Sequence, residues 1–154
     1  KFFRSGIDFD IMAEKLQADL TEAGIRVKLN PAELQTALAR YRAGEEPFAF
    51  WIWGADYYDV NDYIEFLPEG IVGLRTQWTD ENADEEIKTL RDEAKVAVDT
   101  DRRIELWDQI QTFLQEQGPY VALVQPGQAV AHRQWVKGYV FNEAWKVDPY
   151  LLAK

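Results

Sequence analysis

The run from Phe48 to Tyr63, FAFWIWGADYYDVNDY, constrains this chain more than any other stretch, because it gathers seven aromatic side chains and the carboxylates of Asp56, Asp59 and Asp62 around one glycine, Gly54. Its first part, Phe48 to Trp53, is unbroken in apolar character and rich in the aromatic residues that strands favour; the segment predicts a buried strand that Gly54 ends. A strand so placed delivers Asp56 at its carboxyl end, which is where ligands sit in an open α/β sheet. A carboxylate flanked by Trp53, Tyr57 and Tyr58 suits an organic cation better than a hydrated metal. The plainer alternative is that the aromatics are core and the acids merely solvated.

The flanking sequence predicts the layers around that strand. A short strand at Lys1 to Arg4 leads into a helix from about Ile7 to Ala23, with Met12, Leu16, Leu20 and Ala23 on one stripe and Gly24 ending it. Ile25 to Leu29 alternates apolar residues with Arg26 and Lys28, the pattern of a half-buried strand. Asn30 and Pro31 then open a second helix reaching about Ala43. The order β-α-β-α-β implies a parallel sheet with right-handed crossovers. Further on, Ile87, Leu90, Ala94 and Ala97 predict a helix over about 82–98, with Asn82 and Glu85 as a capping box. A second helix opens at Thr100, carries Ile104, Trp107, Ile110 and Leu114 on one face, and closes at Gly118 and Pro119. Tyr120 to Val124 and Ala129 to His132 read as two strands turning through Pro126 and Gly127.

Composition narrows the partners. Lys and Arg total 17 against 27 for Asp and Glu, a net charge of −10 with the acids spread along the chain, which argues against nucleic acid. With 154 residues there is material for one sizeable core, a single domain or one lobe of a larger protein. No apolar run approaches the length of a membrane span. The absence of cysteine removes disulfides and thiolate metal sites without fixing the compartment. The chain opens on Lys1 and enters an apolar segment directly, so it reads as a piece of a longer protein, and the lack of a leader carries no information.

Catalytic patterns are mostly missing. Ser5 and His132 have no motif that joins them in a triad, and a lone histidine in a strand is a structural residue far more often than a catalyst. No metal-binding His or Cys spacing occurs, and Asp59, Asn61 and Asp62 fail the calcium-loop pattern, so neither a metal nor a cofactor is expected. Paired carboxylates, Asp56 with Asp59 or with Glu65, leave open a carbohydrate-active enzyme with aromatic sugar platforms. Gly70 and Gly73 lie in a loop without a phosphate-binding signature.

Four segments fall in a known order and spacing. They are AEKLQADLTEAGIRVKL, through Gln17, Leu20, Gly24, Ile25 and Val27; WGADYYD, through Trp53, Asp56, Tyr57 and Asp59; Asp101, Arg103, Leu106, Trp107, Gln111 and Leu114, followed by Pro119 to Leu123; and Val136, Lys137 and Gly138. Together they resemble the C-terminal portion of the extracytoplasmic solute-binding proteins of ABC importers, the family that includes the oligopeptide and dipeptide binders. The chain departs from that family's pattern at Val60, where proline is common. The resemblance implies an α/β lobe of a two-lobed periplasmic-binding-protein-like fold, with a mixed sheet flanked by helices over residues 1–135. It also implies a segment over 136–154 that returns toward an N-terminal lobe lying outside this chain. The implied function is capture of a peptide or other amine-bearing solute between the lobes, without catalysis, and its delivery to the importer's permease. The implied location is periplasmic, or extracellular and membrane-tethered. In peptide-binding members the aspartate at the position of Asp56 pairs with the ligand ammonium, Trp53 would wall the pocket, and Tyr57 and Tyr58 would stand nearby. The family also carries sugars and opines, so a non-peptide ligand stays open.

Overall fold

A computed structural model describes residues 8–125, 127, 130–141 and 148–153. The chain divides into two compact units, one formed by residues 1–37, 123–142 and 147–154, the other by 38–122 and 143–146.

In the first unit, α1 spans Phe9–Glu22. Asp8 starts it, its side-chain oxygen accepting from the amides of Asp10 at 3.1 Å and Ile11 at 3.2 Å, which satisfies two of the donors a helix start leaves open. Gly24 ends it in the left-handed region, φ 85°, so that the Ile25 amide can return to the Leu20 carbonyl at 2.8 Å. Gln17 Nε2 donates to the Val27 carbonyl at 2.7 Å and ties the following segment back to the helix. Near the far end of the chain, Lys137 and Ala153 form an isolated antiparallel bridge.

The second unit holds the core. Here α3, Ile71–Arg75, α4, Glu85–Val96, and α5, Thr100–Glu116, join a 3-10 helix at Val60–Phe66, while α2, Leu34–Arg42, enters from the first unit's sequence. Ile87, Leu90 and Ala94 on α4 meet Leu106, Trp107, Ile110 and Phe113 on α5, with Leu67 and Trp78 completing the cluster. The spacing i, i+3, i+7 on α4 puts its three apolar residues on one stripe, and burying them is what keeps a helix of this length folded. The α5 face differs from the expected one. Ile104 is 64% exposed, and Leu106 and Phe113 take the core positions. Both stripes contain Trp107 and Ile110, so periodicity alone left the centre of the face open by about one residue.

Arg91 is buried on α4 and donates through Nη1 to the Pro68 carbonyl at 3.0 Å and through Nε to Asp92 at 2.8 Å, with Asp80 as a further ion-pair partner. The guanidinium holds the carboxyls of Asp92 and Asp80 below their ordinary range, and they in turn raise its own pKa. This bond clips α4 to the turn that follows the 3-10 helix. The Asn82–Glu85 capping box does not form: Asn82 Oδ1 accepts from the Thr79 amide at 2.9 Å, so the asparagine is used in the preceding turn, and Asp84 occupies the cap position.

The expected sheet is absent from the described residues. Segments 25–29, 48–53, 120–124 and 130–132 carry no ladder, and the strand expected at Lys1 to Arg4 and the residue Ala129 lie outside them. Alternating or continuous apolar character reports where side chains go, whereas a strand also needs a neighbouring backbone. In 48–53 the side chains do find partners. Trp51 stacks on Tyr41 with ring centroids 4.8 Å apart, and Trp53 meets Phe66 edge-on at 4.9 Å. Tyr120 continues this aromatic chain, 5.3 Å from Phe66, and its hydroxyl donates to the Phe66 carbonyl at 3.0 Å. Burial pushes its phenol up to about 12.

Candidate functional site

The candidate site lies on the loop after Trp53 and on the 3-10 helix that follows. Asp59 caps that helix, accepting from the Asn61 amide at 2.8 Å and pairing with Arg103 of α5. The amide bond and then the guanidinium hold its carboxyl below the ordinary range. With the helix start fixed, Asp62 comes one turn further on and points back under the loop. It is only 2% exposed, and its Oδ2 accepts from the backbone amide of Asp56 at 2.7 Å.

This fold of the loop brings three carboxylates together. Oxygens of Asp56, Asp62 and Glu65 lie within 4.8 Å of one another, with Asp56 exposed, Glu65 half-buried and Asp62 buried. Asp62 is covered and engaged by the Asp56 amide, so the carboxylates that a ligand amine can reach are those of Asp56 and Glu65. A hydrated cation is also attracted to such a group, although no neutral histidine or thiolate stands among the three.

The four residues expected at the site separate. Asp56 joins the carboxylates. Trp53 is half-buried and packs on the 3-10 helix, 5.2 Å from the Tyr63 ring, which makes an apolar base for the loop. Tyr57 is half-exposed; partial desolvation, followed by the charges of Asp62, Asp59 and Glu65, pushes its phenol above the ordinary range, which places it in their field. Tyr58 goes elsewhere. It is 74% exposed and lines a groove of about 500 Å³ with Arg103, Ile104 and Trp107 of α5. The residue that sequence reasoning missed is Asp62. An aspartate in an acid-rich loop reads as solvated, and the sequence signal that could have found it is its place three residues after the helix-capping Asp59. Glu65 entered only as a possible catalytic partner of Asp56. His132 faces Tyr139, with ring centroids 5.5 Å apart, and Ser5 lies outside the described residues.

No family model matches the chain, and no solved structure matches it. Curated proteins do. It is 30% identical over 135 residues to di/tripeptide-binding protein 4 of Pseudomonas aeruginosa, an alignment covering 86% of this chain and 25% of that protein. It is 29% identical over 139 residues to the probable D,D-dipeptide-binding periplasmic protein DdpA of Escherichia coli, covering 88% of this chain and 26% of the relative. The dipeptide-binding protein of Escherichia coli is 25% identical over 135 residues, covering 88% and 25%. The chain thus spans about a quarter of the length of the curated relatives it matches. Over most of its own length the chain is homologous to di- and tripeptide-binding proteins, and the likeness carried by its four motifs, to the solute-binding family of the oligopeptide and dipeptide binders, holds.

Proposed function

We propose that this chain is the C-terminal part of the substrate-binding component of an ABC importer. It takes a peptide or other amine-bearing solute outside the cytoplasm and hands it to the membrane permease without chemical change. In this reading residues 1–135 belong to one lobe of a two-lobed binding protein, residues 136–154 return toward the other lobe, and the solute lies between the lobes with its ammonium at Asp56. The observation that carries the reading is the meeting of Asp56 with buried Asp62 and with Glu65, in a chain homologous to peptide-binding proteins. An ammonium taken out of water must be paired to stay charged, and the exposed Asp56 carboxylate, with Glu65 beside it, supplies a charge-assisted partner. Trp53 supplies apolar wall, and Tyr57 stands next to Asp56 on the same loop.

Native mass spectrometry of the intact protein, purified without an unfolding step, tests the proposal. The expected result is a bound mass that leaves on denaturation and fragments as a short peptide. A bound saccharide, or turnover of aryl glycosides by the purified protein, would overturn it in favour of the carbohydrate readings.

A further inference from the structure

We infer that Asp62 is the positioning residue of the Asp56 site, an inference that rests on the reading of Asp56 as the ammonium partner. Asp56 sits in a stretch without helix or strand, so no ladder or helical hydrogen bond fixes its backbone. Its amide donates to Asp62 Oδ2 at 2.7 Å, a bond from a backbone donor to a buried carboxylate. Such bonds are short and strong, and here one spans six residues, closing the loop from Asp56 to Asp62 into a ring. The far end of that ring is anchored twice. The Asp62 amide donates to the Asp59 carbonyl at 3.1 Å, and Asp59 is itself held by Asn61 and by Arg103 of α5. The path from the helical core to the Asp56 backbone is therefore continuous: Arg103, Asp59, the 3-10 helix, Asp62, Asp56.

The consequence is directional. The exposed Asp56 carboxylate leaves its Cα along a line set by the peptide unit that Asp62 grips, and a ligand ammonium is held well only when that carboxylate is already aimed. Asp62 acts through the geometry of Asp56 and not as the ligand's principal partner, because its Oδ2 is already engaged and its side chain is almost wholly covered. What this role requires is an acceptor at that place. Asparagine supplies one and alanine does not, which separates positioning from charge.

The test uses the intact protein that carries this chain, with a panel of unmodified dipeptides and their N-acetylated forms as probes and calorimetry as the readout. Asp62→Ala is expected to weaken binding of the free-amine probes by about tenfold or more and to narrow their preference over the acetylated forms. Asp62→Asn is expected to stay within about threefold of wild type. Asp56→Asn runs alongside. If it loses affinity while Asp62→Ala binds as wild type, the positioning role is wrong and the site stands; if Asp56→Asn itself binds as wild type, or wild type binds no dipeptide, the reading of the site is wrong. Should Asp62→Ala fold poorly, amide exchange decides: the Asp56 amide should be protected in wild type and in Asp62→Asn. An Asp56 amide exchanging at the rate of an open loop in wild type would overturn the inference.

Discussion

Replacing Arg91 by methionine tests how the second unit is held together. The methionine keeps most of the apolar stem and removes the guanidinium, which donates to the Pro68 carbonyl at 3.0 Å and pairs with Asp80 and Asp92. Two mechanisms of stabilisation compete. The Asp80 and Asp92 side chains are 46% and 62% exposed, so the ion pairs are screened by water and contribute little. Pro68 is fully buried, and taking away the donor to its carbonyl leaves a buried acceptor without its partner; that loss costs about 1–3 kcal/mol. Arg91→Met should therefore lower the unfolding free energy by that amount, read as a lower urea midpoint at unchanged slope, while Asp80→Asn and Asp92→Asn should each cost distinctly less. Raising the salt to 1 M should change wild type only slightly. Equal losses in Arg91→Met and either asparagine variant, or a salt effect as large as the methionine substitution, would refute the carbonyl as the main term.

Other consequences can be checked in the same preparation. Leu106→Ala, at a fully buried position, should destabilise by about 2–5 kcal/mol in urea unfolding, whereas Ile104→Ala at the exposed position on the same helix should stay within about 0.5 kcal/mol. Gly70→Ala should cost about 1–3 kcal/mol, because a Cβ there would collide with the backbone carbonyls of Ile64 and Glu65; a variant as stable as wild type would contradict the packing. Acid should weaken the fold. Asp59, Asp80 and Asp92 have depressed folded pKa values, so the native state binds fewer protons than the unfolded chain. The stability they confer is present above about pH 4 and is lost as pH falls through the folded values; a melting temperature that rises between pH 5 and 2 would contradict these pairings.

The helices were legible in the sequence because their cause is local. Apolar residues three and four apart define α1, α4 and α5 within a few residues of their ends; the Asn82 cap, the centre of the α5 face and the start of α2, which opens at Leu34 and not at Asn30 and Pro31, were misplaced. The strands were not, since pairing joins residues far apart in the chain, and the aromatic run at 48–53 buries its rings by stacking on Tyr41 and Phe66 without a ladder. The short helices at Val60–Phe66 and Ile71–Arg75 also escaped notice, being too brief to show a period. At the candidate site, composition and order singled out Asp56 and Trp53, and in the structure Trp53 packs on the 3-10 helix beneath the loop. They did not single out Asp62, because its burial comes from a turn that carries it under the Asp56 amide, and nothing in an acidic sequence distinguishes that aspartate from a solvated one.

The central claim is that Asp56 pairs with a ligand ammonium, and calorimetry of Asp56→Asn in the intact protein measures it most directly. The substitution keeps size and some hydrogen bonding and removes the charge, leaving the ligand's amine without its counter-ion. Losing one partner of such a pair costs about 2–5 kcal/mol, a drop of about 30-fold to several thousand-fold in affinity for the co-purified solute, with folding preserved because Asp56 is exposed. Wild type should reject the N-acetylated solute, and the asparagine variant should discriminate far less between the two forms. A variant that binds the natural solute as tightly as wild type, and still rejects the acetylated form, would contradict the account.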